Sequence, residues 1–248
     1  MKQNPYDNPR FFSSYSGLPR STTGLGEAVE WPAFRRMIPE LRGRRVLDLG
    51  CGFGWHCRFA AEQGARSVLG VDLSEKMLAR AAAETHDPRI TYSRQAIEDI
   101  RFSAGEFDVV MSSLAFHYVA AWLDACRQVY HCLSPGGTFV FSVEHPIFTS
   151  VAAQEWSRDA GGERRHWPVD GYQLEGPRST HWLSAEVTKY HRTTATYVNA
   201  LVSTGFLLRR LEELPGLDDV RARPDWSDEA RRPMFLVVCA QKPVGVGS

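Results

Sequence analysis

The chain has no surplus of either charge: Lys and Arg together number 29, as do Asp and Glu, in 248 residues. A nucleic-acid binder ordinarily carries a basic excess, so recognition of a polyanion through a broad positive field is not expected. The arginines clustered in 35–45 and 221–232 are matched by Asp and Glu and read as solvated faces. Cysteine is scarce. Cys51, Cys57, Cys126, Cys132 and Cys239 are odd in number, form no C-x-x-C pair and have no histidines at zinc-finger spacing. That argues against a disulfide framework and for a reduced, cytoplasmic setting. No stretch of about 18 apolar residues exists, so no membrane-spanning helix is expected. The opening MKQNPYDNPR lacks the apolar core of a secretory signal, and none is expected. Internal repeats and low-complexity tracts are missing too. What remains is ordinary globular composition, 43% apolar, long enough for one well-cored domain.

From residue 45 the apolar pattern alternates. RRVLDLG reads as a buried strand, WHCRFAAEQG as a helix ended by Gly64, and RSVLGVD as a second strand. SEKMLARAAAETH reads as a helix with Ser74 as N-cap. ITYSRQ and FDVVMSS follow as strands, then a helix near 120–132, a turn at LSPGG and a fifth strand, TFVFSV. Strands alternating with helices predict parallel pairing through right-handed crossovers. The nearly unbroken apolar runs of strands one, four and five suit a sheet covered on both faces. Residues 27–41 and 190–204 predict two further helices, and FLLRRLEEL with MFLVVCAQK an antiparallel closing pair. The expected organisation is a lid segment over 1–26, a main domain over 27–242 with an insertion near 147–188, and a flexible tail over 243–248.

The sharpest local signal is VLDLGCGFGWHC, residues 46–57. Glycines let the backbone turn tightly and approach a ligand, and the helix that follows offers unpaired N–H groups. A dinucleotide fingerprint, G-x-G-x-x-G, would put its third glycine at Trp55. Asp48, two residues before Gly50, would also repel a pyrophosphate. Asp72, ending the second strand, can take both hydroxyls of a ribose. Asp48 with Asp72 therefore suits a cationic, ribose-bearing, phosphate-free ligand, a description that S-adenosylmethionine fits.

VLDLGCGFG, VDLSEKML, FDVVMSSLAFHYV and LSPGGTFVFSVEHP together resemble the class I S-adenosylmethionine-dependent methyltransferases of small molecules, over roughly residues 43–143. The resemblance implies an α/β, Rossmann-like seven-stranded sheet in the order 3-2-1-4-5-7-6, its last strand antiparallel, with helices on both faces. It implies that loop 50–54, with Gly50, Cys51 and Gly52, lies along the methionine part of the donor. Asp72 would hold the ribose, Leu73 and Met77 would pack near the adenine, and Ala96 and Ile97 would flank it. S-adenosylmethionine is the implied cofactor, S-adenosylhomocysteine its product, and no metal is expected.

Ligands of open α/β sheets lie at the carboxyl ends of the strands. Those ends bring Ser113, Leu114, His117 and Tyr118 beside Glu144 and His145. Methyl transfer from a sulfonium asks the protein mainly to position the nucleophile and take its proton where needed. The candidate bases are His117, Glu144, His145 and His191, the last at the start of the late helix. Neighbouring strand residues point to opposite faces, so Glu144 and His145 do not share a metal and only one of them faces the substrate. Ser113 is expected beside the donor. The lid would offer Tyr15 and Arg20 to the donor carboxylate or the acceptor. Phe11, Phe12 and Tyr15, with Trp156, Trp167, Tyr172 and Trp182, suggest an aromatic-walled pocket for a phenol- or indole-like acceptor.

The expected activity is methyl transfer to N, O or C of a small, aromatic acceptor. A homodimer through the lid or insertion is a further expectation; a membrane or nucleic-acid partner is not. The rivals are an RNA-modifying methyltransferase and a non-catalytic regulator that binds S-adenosylmethionine. An NAD-linked oxidoreductase is opposed by Trp55 and Asp48.

Overall fold

A computed structural model describes residues 2–216 and 227–245. Residues 246–248 of the expected tail and 221–226 of the second arginine cluster lie outside the described residues. In chain order the elements are α1 (Pro9–Ser16), α2 (Pro19–Thr22), α3 (Trp31–Met37), β1 (Arg45–Leu49), α4 (Trp55–Glu62), β2 (Ser67–Asp72), α5 (Glu75–Ala83), β3 (Ile90–Arg94), β4 (Phe107–Ser113), α6 (Trp122–Cys132) and β5 (Leu133–Glu144). They continue with α7 (Pro146–Thr149), β6 (Ser157–Arg158), β7 (Arg164–His166), β8 (Gly176–Trp182), β9 (Ala185–His191), α8 (Thr194–Thr204), β10 (Leu207–Leu214) and β11 (Phe235–Gln241).

Seven strands form one sheet in the order β3-β2-β1-β4-β5-β11-β10. The first four pairings are parallel; β11 runs antiparallel to both β5 and β10. This is the order expected from sequence, with β10 and β11 as strands six and seven. Side-chain alternation divides the core between two faces. Leu47 and Leu49 of β1 join Trp122, Cys126 and Val129 of α6 and Tyr197 and Leu201 of α8. Val46 joins Phe34 and Met37 of α3 and Cys57 and Ala60 of α4 on the other. Ser74 caps α5, its side chain accepting from Met77 N. Gly205 ends α8 at φ +104°, a left-handed position.

Four boundaries differ from expectation. The LSPGG turn lies inside β5 as an irregularity, where the register jumps from Phe107↔Leu133 to Val109↔Thr138. The helix anticipated over 27–41 is limited to Trp31–Met37. Residues 1–26, read as a loop or short helix, hold both α1 and α2. The helix anticipated from 190 starts only at Thr194, because Tyr190 and His191 complete β9 against β8. Val187, Lys189 and His191 are buried on one face there, and Thr188 and Tyr190 between them lie on the other, toward a cavity. This strand-like alternation outcompetes the helical reading.

Candidate active site

Above the carboxyl ends of β1, β2, β4 and β5 lies a cavity of about 1110 Å3. Its floor is the turn from β1 into α4. Gly50, Gly52 and Gly54 all have positive φ, at +74°, +52° and +75°. Gly50 N and Cys51 N donate to Val71 O at 2.7 and 3.0 Å, which ties the turn to β2. A Cβ at Gly50 would meet the Ala115 Cβ at 2.4 Å, whereas one at Gly52 would meet nothing within 4 Å.

A pair of variants separates backbone strain from crowding. Gly50→Ala is expected to cost about 2–5 kcal/mol, from left-handed strain and overpacking together. Gly52→Ala should cost only the strain, about 1–2 kcal/mol. Urea unfolding of both proteins measures this, and equal losses would refute the crowding account.

At the end of β2, Asp72 accepts from Gly52 N at 2.9 Å and Ser74 N at 2.8 Å. Burial raises its pKa, against the opposing pull of those N–H groups. Leu73, Met77, Ala96 and Ile97 line the cavity beside it, with Glu98 and Asp99 at the rim. Ser113, at the end of β4, donates to Glu30 Oε1 at 3.0 Å, and Arg20 Nη2 reaches the same oxygen at 3.1 Å. Buried Glu30 thus holds Arg20 at the cavity wall, where Tyr15 also lies. Leu114, at φ +52°, turns the chain out of the strand, and Ser142 O accepts from its N–H at 3.0 Å. A left-handed leucine is the kind of local strain that persists where surrounding structure dictates it. The bare Gly50–Gly52 backbone, the Asp72 carboxylate and the apolar Leu73–Met77–Ile97 surface fit a methionine chain, a ribose and an adenine in that order.

Two cofactor candidates do not reach this cavity. Asp48 is buried beneath the turn and accepts from Cys57 Sγ at 3.3 Å. Burial pushes its pKa up to about 7, against the pull of that hydrogen bond. Cys51 borders a smaller recess under the turn, with Trp55 and His56.

The four candidate bases separate into two pairs. His117 and Glu144 line the cavity; His145 and His191 do not. His145 accepts from Ile147 N at 3.0 Å, capping α7, while its Nε2 meets Glu213 Oε1 at 2.8 Å on the far side of the sheet end. His191 is fully buried between Thr149 Oγ1 and Tyr172 O, both at 2.9 Å. As a strand residue it turns inward beneath the hairpin rather than over the pocket. Glu144 Oε1 receives Lys189 Nζ at 2.6 Å and Oε2 receives Gln154 Nε2 at 2.9 Å. Burial alone would raise the Glu144 pKa, but His117, the Lys189 ammonium and Gln154 hold it below the ordinary carboxylate value. His117 is buried, which pushes its pKa down to about 4, so the ring is neutral.

The aromatic wall differs in membership from the expected one. Tyr15 and Trp182 line the cavity, joined by Tyr6, Tyr118, Tyr190 and Phe235. Phe11 backs this wall, edge-on to Tyr6 at 5.1 Å and Trp182 at 5.4 Å, and Phe12 packs on Phe53. Trp156 and Trp167 sit elsewhere, packed with Phe148 around Arg232, and Tyr172 packs on His191.

Residues 47–141 match the family described as a methyltransferase domain. An S-adenosylmethionine-dependent methyltransferase from Mesorhizobium loti is 51% identical, with a TM-score of 0.82, over 88% of this chain and 100% of that one. The chain belongs to the S-adenosylmethionine-dependent methyltransferases. An uncharacterized protein from Haemophilus influenzae is 34% identical over 97% of this methyltransferase and 98% of its own length. The N-demethylindolmycin N-methyltransferase of Streptomyces griseus is 28% identical over 78% of each chain.

Several residues around this methyltransferase's cavity escaped the sequence reading: Glu30, Lys189, Gln154, Tyr6 and Gln3. Only Lys189 carried a signal, its place between Val187 and His191 in an alternating strand. Gln3 joins the edge of β9 by hydrogen bonds to both Thr188 N and Thr188 O. Asp7 accepts from Ser74 Oγ at 2.6 Å and Lys76 N at 3.1 Å, at the start of α5. Residues 3–7 thereby cross the cavity mouth.

Proposed function

We propose that this methyltransferase moves a methyl group from S-adenosylmethionine to an N, O or C atom of a small aromatic acceptor held in the same cavity. The observation that carries this reading is the cavity itself. Its roughly 1110 Å3 exceed the span of about 300–1,000 Å3 usual for one small ligand, which leaves room for an acceptor beside the donor. Beyond Gly50 and Ser113 the walls turn to Tyr6, Tyr15, Tyr118 and Trp182, with His117 and Glu144 as polar groups beside the tyrosine hydroxyls. Segment 1–26 acts as a lid, and the insertion near 147–188, with β9, forms the acceptor-side wall. The donor supplies an already activated methyl group. Gly50, Gly52 and Asp72 hold it, and the rings and His117 orient the nucleophile against it. Buried free cysteines support a cytoplasmic setting. The Streptomyces relative, named for an indolmycin substrate, supports an indole-like acceptor.

A methyl-transfer screen with labelled donor against indoles, phenols and aromatic amines tests the proposal. Transfer to at least one of these is expected. Binding of S-adenosylhomocysteine without transfer to any would favour a non-catalytic regulator, and transfer to tRNA instead would overturn the small-molecule reading.

A further inference from the structure

We propose that His117 and Glu144 are a donor–acceptor pair that selects a neutral heteroaromatic acceptor carrying an N–H beside a carbonyl oxygen or ring nitrogen. The proposal rests on reading the far end of the cavity as the acceptor site. His117 Nδ1 accepts the backbone N–H of Glu144 at 3.4 Å. A neutral imidazole has one donor and one acceptor nitrogen, so its proton sits on Nε2. That nitrogen has no polar partner among the described residues and is not sealed off from solvent-accessible space. His117 itself is 2% exposed and lines the cavity. An N–H that opens on the cavity with no protein partner is free to donate to a ligand lone pair placed there. His117 is therefore a hydrogen-bond donor to the acceptor, not a base.

Glu144 supplies the opposite polarity. Each carboxylate oxygen can take more than one donor, and here each has one, from Lys189 and from Gln154. The remaining lone pairs belong to the side chain that borders the cavity. Because the His117 ring is fastened to the backbone of Glu144, donor and acceptor are held in fixed relation. The Lys189 ammonium neutralises the Glu144 charge and lies 5.6 Å from the Trp182 ring centroid. Arg20 is neutralised by Glu30 in the same way. A cationic acceptor meets no net negative field at this end, whereas a neutral planar edge with one donor and one acceptor matches it.

The test titrates protein saturated with S-adenosylhomocysteine with three bicyclic probes by calorimetry. They are 2-quinolinone (N–H beside C=O), quinoline (ring nitrogen only) and indole (N–H only). We expect 2-quinolinone to bind at least about tenfold tighter than either, the worth of one added hydrogen bond. His117→Phe should weaken 2-quinolinone and quinoline by about tenfold and leave indole within about twofold. His117→Gln, which keeps an amide N–H near the position of Nε2, should retain the ranking. Histidine side-chain 15N spectra should show an Nε2–H tautomer at a resonance that His117→Gln removes. An Nδ1–H tautomer, 2-quinolinone binding no tighter than the single-function probes, or no probe binding at all would each overturn the proposal. Failure to bind S-adenosylhomocysteine would instead remove the methyltransferase reading on which it rests.

Discussion

Asp72→Ala is expected to lower the affinity for S-adenosylhomocysteine by roughly 100- to 1,000-fold, the worth of two charge-assisted hydrogen bonds to a ribose. The carboxylate has four acceptor positions. Gly52 N and Ser74 N occupy two, on different oxygens, which leaves one on each oxygen for a ligand. Asp72→Asn is not a mild substitute. Its amide N–H2 would face either the Gly52 or the Ser74 N–H, donor against donor. Stability should change much less. Burial raises the Asp72 pKa in the folded state, so its favourable contribution exists below the unfolded value and is lost as pH rises through the folded one. At neutral pH that penalty of the ionised group offsets part of what Asp72→Ala loses with the Gly52 and Ser74 hydrogen bonds, so the melting temperature should fall far less than the affinity does. Calorimetry with S-adenosylhomocysteine and a melting curve decide the matter. Affinity within about threefold of native would show that Asp72 does not carry ribose recognition.

Lys189→Met is expected to remove about 3–5 kcal/mol of stability, because it strands a buried carboxylate without its cation. For a chain of this length that is a fall in melting temperature of roughly 6–20 °C. Lys189 is 3% and Glu144 14% exposed by side chain, so solvent screens the pair little. The double variant Glu144→Gln with Lys189→Met should recover most of the loss. The pH dependence has a definite sign. In the native protein Glu144 titrates below its ordinary value, so its contribution is present above the unfolded pKa and lost as pH falls through the folded one. Without Lys189, burial prevails and the shift reverses, which turns the carboxylate into a penalty that acid relieves. The gap between native and variant should narrow from pH 7 toward about pH 4. A gap that is constant with pH would assign the loss to packing rather than to charge.

The cavity floor around the β1–α4 turn was legible because it is local. Strand, glycine turn, helix and the acid ending the next strand lie within residues 45–72, and each step is governed by nearest-neighbour backbone chemistry. The pattern places Asp48 and Cys51 at the turn, and only packing shows that Asp48 lies under it against Cys57. The opposite end of the cavity was partly legible. The ends of β4 and β5 put His117 and Glu144 together, since parallel neighbours share a carboxyl edge. Trp156 and Trp167 were misplaced because composition names aromatics without saying which cavity they face.

By itself the sequence determined the strand–helix alternation, the glycine turn after β1 and the fact that Glu144 and His145 point apart; the sheet order came from the family resemblance. The tertiary structure decided which of the two faces the cavity: β11 pairs along β5 up to Phe235↔Glu144, with Glu144 turned toward Lys189 and His145 toward Glu213. It also joined Gln3, His117, Glu144, Gln154 and Lys189, residues scattered over most of the chain, around one cavity. Contacts between residues so far apart depend on how whole strands pack, and no local periodicity encodes that.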